Sequence, residues 1–181
     1  MRQQPLLHRP LEIGTIPATG IEEHVEASEA ERNAIAAEHK LIAVKSLSAD
    51  VDLRRSGDGL IMIDGRLRAE VVHTCVVSLE PAPQSIDEVF HVALASAGSD
   101  EAPPPPKPGA EVMVDPEVDQ PDVLYGPTID LGAIVLEHFV LALDPYPRAP
   151  GARLPADVAT DEEDPARSPF AVLAGLKSPK S

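Results

Sequence analysis

Two neighbouring stretches of this chain alternate apolar and polar residues with period two, and they leave few folds open. Leu47, Ala49, Val51 and Leu53 alternate with Ser48, Asp50, Asp52 and Arg54. After Ser56-Gly57-Asp58-Gly59, the residues Ile61, Ile63, Gly65, Leu67, Ala69, Val71 and His73 share one side of a second run. Met62, Asp64, Arg66, Arg68 and Glu70 occupy the other side. Successive side chains of a strand point to opposite faces, so this pattern predicts two strands with one buried and one wet face. The glycine-bearing step between them reads as a hairpin turn. An antiparallel sheet is therefore the expected centre of the fold.

The flanking sequence supplies elements to cover one face of that sheet. Ile86, Phe90, Val92 and Leu94 predict a third strand of the meander, with Glu80-Pro81-Ala82-Pro83 ending the run before it. Leu6 to Ile13 predicts a first strand, and Pro10 suggests an edge position. Pro17 to Gly20 is a break. Ser28-Glu29-Ala30-Glu31 fits a capping box, and Ala30, Ala34, Ala37, Leu41 and Val44 form a stripe for a helix over about 29 to 44. Ala97 to Asp122, with four consecutive prolines from Pro103, reads as a disordered acidic insertion. Order is expected to return at Tyr125. Asp130 is a good N-cap for a helix to about Leu143, with Leu131, Ile134, Val135, His138 and Leu141 on one face. Asp144-Pro145 stops it. The expected class is α+β: an antiparallel sheet packed by one or two helices in a single domain, 1–150. An acidic linker and a short C-terminal helix, begun by Ser168-Pro169, then follow over 151–181.

Charge narrows what such a domain can do. The chain has 30 acidic and 15 basic residues, a net charge of -15. The stretch Asp100–Asp122 carries -6 and Asp157–Asp164 carries -5. These segments read either as solubilising linkers or as acidic surfaces that attract a basic partner. Nonspecific RNA binding draws its affinity from Lys and Arg neutralising phosphates, and the bases here are scattered. Arg54-Arg55 and Arg66-Leu67-Arg68 are the small clusters that would carry RNA contacts if a hairpin gathered them on one face. Met1 to Pro10 has no apolar core of a signal peptide, and no apolar run approaches the roughly 20 residues of a membrane span. The expectation is a cytoplasmic protein with no membrane contact.

Candidate chemistry is sparse. Cys75, the only cysteine, lies two residues from His73 on the same side of a strand. A reactive thiolate needs an electropositive, partly exposed site, whereas a cysteine on a valine-rich strand is a small buried hydrophobe. No metal-ligand spacing groups the six histidines, and no nucleophile elbow or phosphate loop is present. The expectation is no catalytic residue, no metal, no cofactor and no small-molecule substrate. A thiol or hydrolytic enzyme is the least favoured alternative. The segment from Pro169 to Lys177 is more informative, because a short apolar helix on an acidic tether is not stable alone. It must dock on its own sheet or in another protein's groove, and Phe170, Leu173 and Leu176 are the candidate partner-binding residues.

Several of these pieces, in this order, resemble the bacterial YceD-like family of large ribosomal RNA subunit accumulation proteins. They are Ala30-Glu31-Arg32, the strand through Val71-Val72-His73-Thr74-Cys75-Val76-Val77-Ser78-Leu79-Glu80-Pro81, the helix start Ile129-Asp130-Leu131-Gly132, its exit Leu141-Ala142-Leu143-Asp144-Pro145-Tyr146-Pro147, and the tail Pro169–Lys177. The resemblance implies a role in ribosome biogenesis, with loss lowering 23S ribosomal RNA, and no established enzymatic activity. In many bacteria the family's gene neighbours that of a small basic large-subunit ribosomal protein. The expected function is thus a non-enzymatic factor that binds a basic ribosomal or rRNA-processing protein, with a direct rRNA-binding factor using Arg54, Arg55, Arg66 and Arg68 as the alternative. The chain departs from the family where many members carry Cys-x-x-Cys and it has Cys75-Val76-Val77-Ser78. Cys75 is accordingly expected to be a packing residue.

Overall fold

The computed structural model describes residues 5–56, 59–104 and 120–153. In chain order its elements are β1 (Pro10–Glu12), a 3-10 turn (Ile13–Thr15), β2 (Ile21–Glu26), α1 (Glu29–Glu38) and β3 (Ala43–Ser56). Next come β4 (Leu60–Thr74), β5 (Pro81–Ser96), β6 (Asp122–Leu124), β7 (Thr128–Asp130) and α2 (Leu131–Leu141). The class is α+β, as expected. Five strands form one sheet in the order β2-β3-β4-β5-β6, and β1 pairs with β7 in a second, two-stranded sheet.

The long hairpin follows the alternation. Ser56 stands opposite Leu60, Leu53 opposite Ile63 and Leu47 opposite Ala69. Leu47, Ala49, Val51, Leu53, Ile61, Ile63, Leu67, Ala69 and Val71 are all buried on one face. Apolar burial of this kind contributes about 25 cal/mol per Å2 and is the main force holding the sheet to its helices. β5 extends the meander antiparallel to β4, from Thr74 opposite Pro81 to Leu60 opposite Ala95. The two-proline stretch therefore does not end the run: Pro81 opens β5, and the chain turns earlier, over residues 75–80. Lys45 is extra in β3, where the register shifts between Val44 and Ser46. Such a bulge lets Val44 and Leu47, three apart, both face the core.

The helices are shorter than their apolar spacing predicts, and they bury partly different residues: Leu131 and Val135 of the expected α2 face are buried, whereas the expected α1 alanines are not. The capping box on α1 is formed: Ser28 accepts from the Glu31 amide, and the Glu31 carboxylate accepts from the Ser28 amide. α1 stops at Glu38 because His39 and Lys40 turn out of it. Lys40 has φ of 55°, its amide donates to Ala37 O, and the Leu41 amide donates to Ala36 O. This is a Schellman motif with lysine where glycine is usual. Val44 thus belongs to β3. The expected stripe of Ala30, Ala34 and Ala37 is exposed, and Ile35 and Ala36 are the buried residues. α1 packs on β3 and α2 on β4. Asp130 caps α2 by accepting from the Gly132 and Ala133 amides. The buried face of α2 is Leu131, Gly132, Val135 and Phe139, and Leu141 is exposed. Both helices lie on the same side of the sheet because the other side is polar.

The remaining differences concern small strands. The first strand is only Pro10–Glu12, since the chain enters the 3-10 turn at Ile13. β2, β6 and β7 were not expected. β6 begins inside the expected insertion, at Asp122, and pairs parallel to β5. Parallel pairing needs a long crossover, which the segment after Ser96 supplies. Residues 105–119 of the expected insertion, and residues 154–181 with the expected acidic linker and C-terminal helix, lie outside the described residues.

Candidate functional site

Among the described residues no helix covers the wet face of the five-stranded sheet, and its side chains follow from register alone. Across β2, β3, β4 and β5, one row reads Glu22, Asp52, Asp64, His91. The next reads His24, Asp50, Arg66, Val89, and a third Glu26, Ser48, Arg68, Asp87. Seven carboxylates thus share this face with Arg54, Arg66 and Arg68 once Glu70 of β4 is added. A concavity of about 590 Å3 opens here, lined by Glu22, Glu23, Asp50, Asp52, Asp64 and Arg66 among others.

The arginines proposed for RNA are partly gathered and partly engaged. Arg54, Arg66 and Arg68 stand on the wet face, and Arg55, one residue on, lies on the other side of β3 opposite Ile61. Arg66 makes a two-pronged pair with Asp87 at 2.7 and 2.6 Å. That pair raises the Arg66 pKa and lowers that of Asp87. Arg68 donates to Asp50 at 3.0 Å, and His24 Nδ1 lies 2.7 Å from the other oxygen of Asp50. His24 and then Arg68 hold the Asp50 carboxyl below its usual range. His91 pairs with Asp64 at 2.6 Å. Surface pairs of this kind add little stability, but Arg66 and Arg68 are thereby engaged with carboxylates that a phosphate would have to displace.

At one end of the sheet the chain folds round the single thiol. The Cys75 amide donates to Glu80 O, the Leu79 amide to Cys75 O and the Val76 amide to Pro147 O. The amides of Val77 and Ser78 donate to Cys75 Sγ at 3.4 and 3.3 Å. The Ala149 amide, the strongest influence, then the Ser78 hydroxyl and these two amides bring the thiol down to about 6. Thiolate character without access is not nucleophilic chemistry: Cys75 is 0% exposed and packs with Ala82, Ala149, Val77 and Ala152. His73 does not activate it. His73 Nε2 is bonded to Gln84 Oε1, and Gln84 in turn donates to Ala142 O at the end of α2. Among the described residues, no group of three or more His, Cys, Asp or Glu could hold a metal ion.

A second exposed feature is the outer side of α2. Ala133, Leu136, Val140 and Leu141 line an apolar groove of about 360 Å3 with Pro5, His39 and Glu137. Phe170, Leu173 and Leu176, the candidate partner-binding residues, lie outside the described residues. What sequence reading missed is the carboxylate face itself. Thirty acids carry no specificity as a list, and the signal that singles out Asp50, Asp52 and Asp64 is their place on the polar phase of the hairpin. No helix among the described residues is long and apolar enough to cross a membrane.

Comparison with known proteins gives one finding. A family model described as large ribosomal RNA subunit accumulation protein YceD matches residues 63–177. No curated protein and no solved structure matches the chain.

Proposed function

The chain belongs to the YceD family of large ribosomal RNA subunit accumulation proteins, and from that premise we propose that it is a noncatalytic assembly factor. It supports 23S ribosomal RNA by holding a basic ribosomal or rRNA-processing protein. The observation that carries this reading is the wet face of the sheet. Seven carboxylates stand there against three arginines, and Arg66 and Arg68 are already paired with Asp87 and Asp50. A surface of that sign repels phosphate and draws cations, raising the rate at which a basic partner arrives.

The apolar side of the contact is assigned to Phe170, Leu173 and Leu176, which have the composition of a buried anchor within a charged surface. The acidic stretches at 100–122 and 157–164 add to the same long-range attraction. A role in catalysis finds no support in Cys75, whose thiol is enclosed.

Capture of basic large-subunit proteins by the full chain tests the reading. Yield should fall several-fold between about 50 and 500 mM salt, as expected for charge-steered contacts, and again when Phe170, Leu173 and Leu176 become alanine. A yield indifferent to both changes discards it. Tight, specific binding of a naked 23S fragment, lost on reversing Arg66 and Arg68, would favour the RNA alternative.

A further inference from the structure

β2 is an edge of the five-stranded sheet, and among the described residues no strand pairs with its outer side. Two hydrogen bonds show which backbone groups face outward. The Ala27 amide donates inward to Leu47 O, whereas Glu26 O accepts from the Arg9 guanidinium. Backbone direction alternates along a strand, so the N–H and C=O of Glu22 and His24 point away from β3, as those of Glu26 do. Such a row is a template for another chain. β1 comes near without pairing: a hollow of about 210 Å3 is lined by Pro10 and Leu11 on one side and by Glu23, His24 and Val25 on the other.

One row of side chains that starts on this edge is acidic across three strands. Glu22 stands directly opposite Asp52, and Asp52 directly opposite Asp64. Like charges placed opposite one another destabilise a sheet. Among the described residues, ion pairing reaches Asp64 through His91 but neither Glu22 nor Asp52. The row therefore lacks a cation on the side where the sheet is open, and the 590 Å3 concavity lies over it.

Resting on the reading that the protein holds a basic partner, we propose that the outer edge of β2 receives an extended lysine- or arginine-bearing segment of that partner. Its main chain pairs with Glu22 and His24. Every second side chain then lies on the wet face, where a cationic one meets Glu22, and Asp52 and Asp64 add to the attraction from farther along the row. The acids on an edge strand also discourage self-pairing, and that simpler role predicts self-association of neutralised variants with no change in binding.

The test uses the full isotope-labelled chain and a twelve-residue peptide alternating lysine and valine, with the glutamate–valine peptide as control. The lysine peptide should slow amide exchange at Glu22 and His24 at least tenfold and leave Glu23 and Val25 unchanged, and the control should do nothing. Glu22→Gln with Asp52→Asn should weaken binding at least tenfold while the melting temperature holds or rises. His24→Pro, tolerated on an edge because that amide faces out, should abolish it. Protection elsewhere, or binding by the charge variant at wild-type strength, overturns the proposal. The same variant separates it from the broader reading. If wild type captures a basic ribosomal protein and the variant captures as much, the edge assignment falls alone; if wild type captures none, both fall.

Discussion

Gly65 shows how one missing Cβ can organise a core. It lies in β4 opposite Phe90, and a Cβ built there would fall inside the Phe90 ring. That ring lies across the glycine and stacks on His138 of α2, with centroids 4.3 Å apart. Gly65→Ala should therefore cost about 1–3 kcal/mol by overpacking, whereas Gly14→Ala, with open space around it, should be close to neutral. Urea denaturation of the two variants checks both. Glu31 is a second such residue. Its carboxylate accepts from Arg9, from the Ser28 amide and from the Ser28 hydroxyl, joining the N-terminal segment to the start of α1. Arg9 chiefly holds it at about 2 in the fold, against about 4.3 in an unfolded chain. A depressed folded pKa contributes stability that is complete above the unfolded value and lost as pH falls toward the folded one. Glu31→Gln should thus cost about 1–2 kcal/mol at pH 7, the range of a lost helix cap. The melting difference from wild type should shrink between about pH 4 and pH 2.

At the scale of elements, the ends of α1 and α2 decide how the sheet is covered. Lys40 holds a left-handed conformation that costs a non-glycine residue about 1–2 kcal/mol, so Lys40→Gly should stabilise the chain by about 0.5–1 kcal/mol, measured by urea denaturation. Gln84 fixes the far end of α2: its amide donates to Ala142 O and its oxygen accepts from the Asp144 amide and from His73. Gln84→Ala leaves the buried His73 and the half-buried Ala142 carbonyl without this partner, at about 1–3 kcal/mol, and should speed exchange in the last turn of α2. These ends also mark what the sequence made legible. The Ser28–Glu31 box and the Asp130 cap are local signals, and both were found. The end of α1 was not, because its terminating residue is a lysine and no glycine marks the place. β2 escaped notice because an edge strand needs little burial, and Val25 is its only fully buried residue. β6 and β7 are three residues each, defined by partners distant in sequence. The carboxylate row had the same difficulty. Asp52 and Asp64 sit on the polar phase of a legible hairpin, but their alignment with Glu22 exists only once a third strand takes its register.

For the whole molecule the question is how a net charge of -15 is reconciled with folding. The apolar face of the sheet is closed by α1, α2 and the β1–β7 pair, so carboxylates are excluded from the core and collect on the opposite face. There Glu22, Asp52 and Asp64 repel across neighbouring strands, and the favourable pairs, His24–Asp50, Arg66–Asp87, Arg68–Asp50 and His91–Asp64, are all exposed. Salt screens both kinds of interaction, and the Debye length falls from about 30 Å at 0.01 M to about 8 Å at 0.15 M. The attractive pairs are short, so most of what salt removes is the longer-range repulsion among many acids. The melting temperature should accordingly rise by a few degrees over that range. Glu22→Gln with Asp52→Asn removes two of the row's three acids without breaking any of the four pairs, so the double variant should start higher at low salt and respond less to its addition. A variant that melts lower at 0.01 M, or that gains as much from salt as wild type, would mean that the row is not where the repulsion is concentrated. The sign of this response also bears on binding. On the proposal that a basic partner docks here, that partner would relieve the repulsion for the same reason that salt does, and the two would compete for the face.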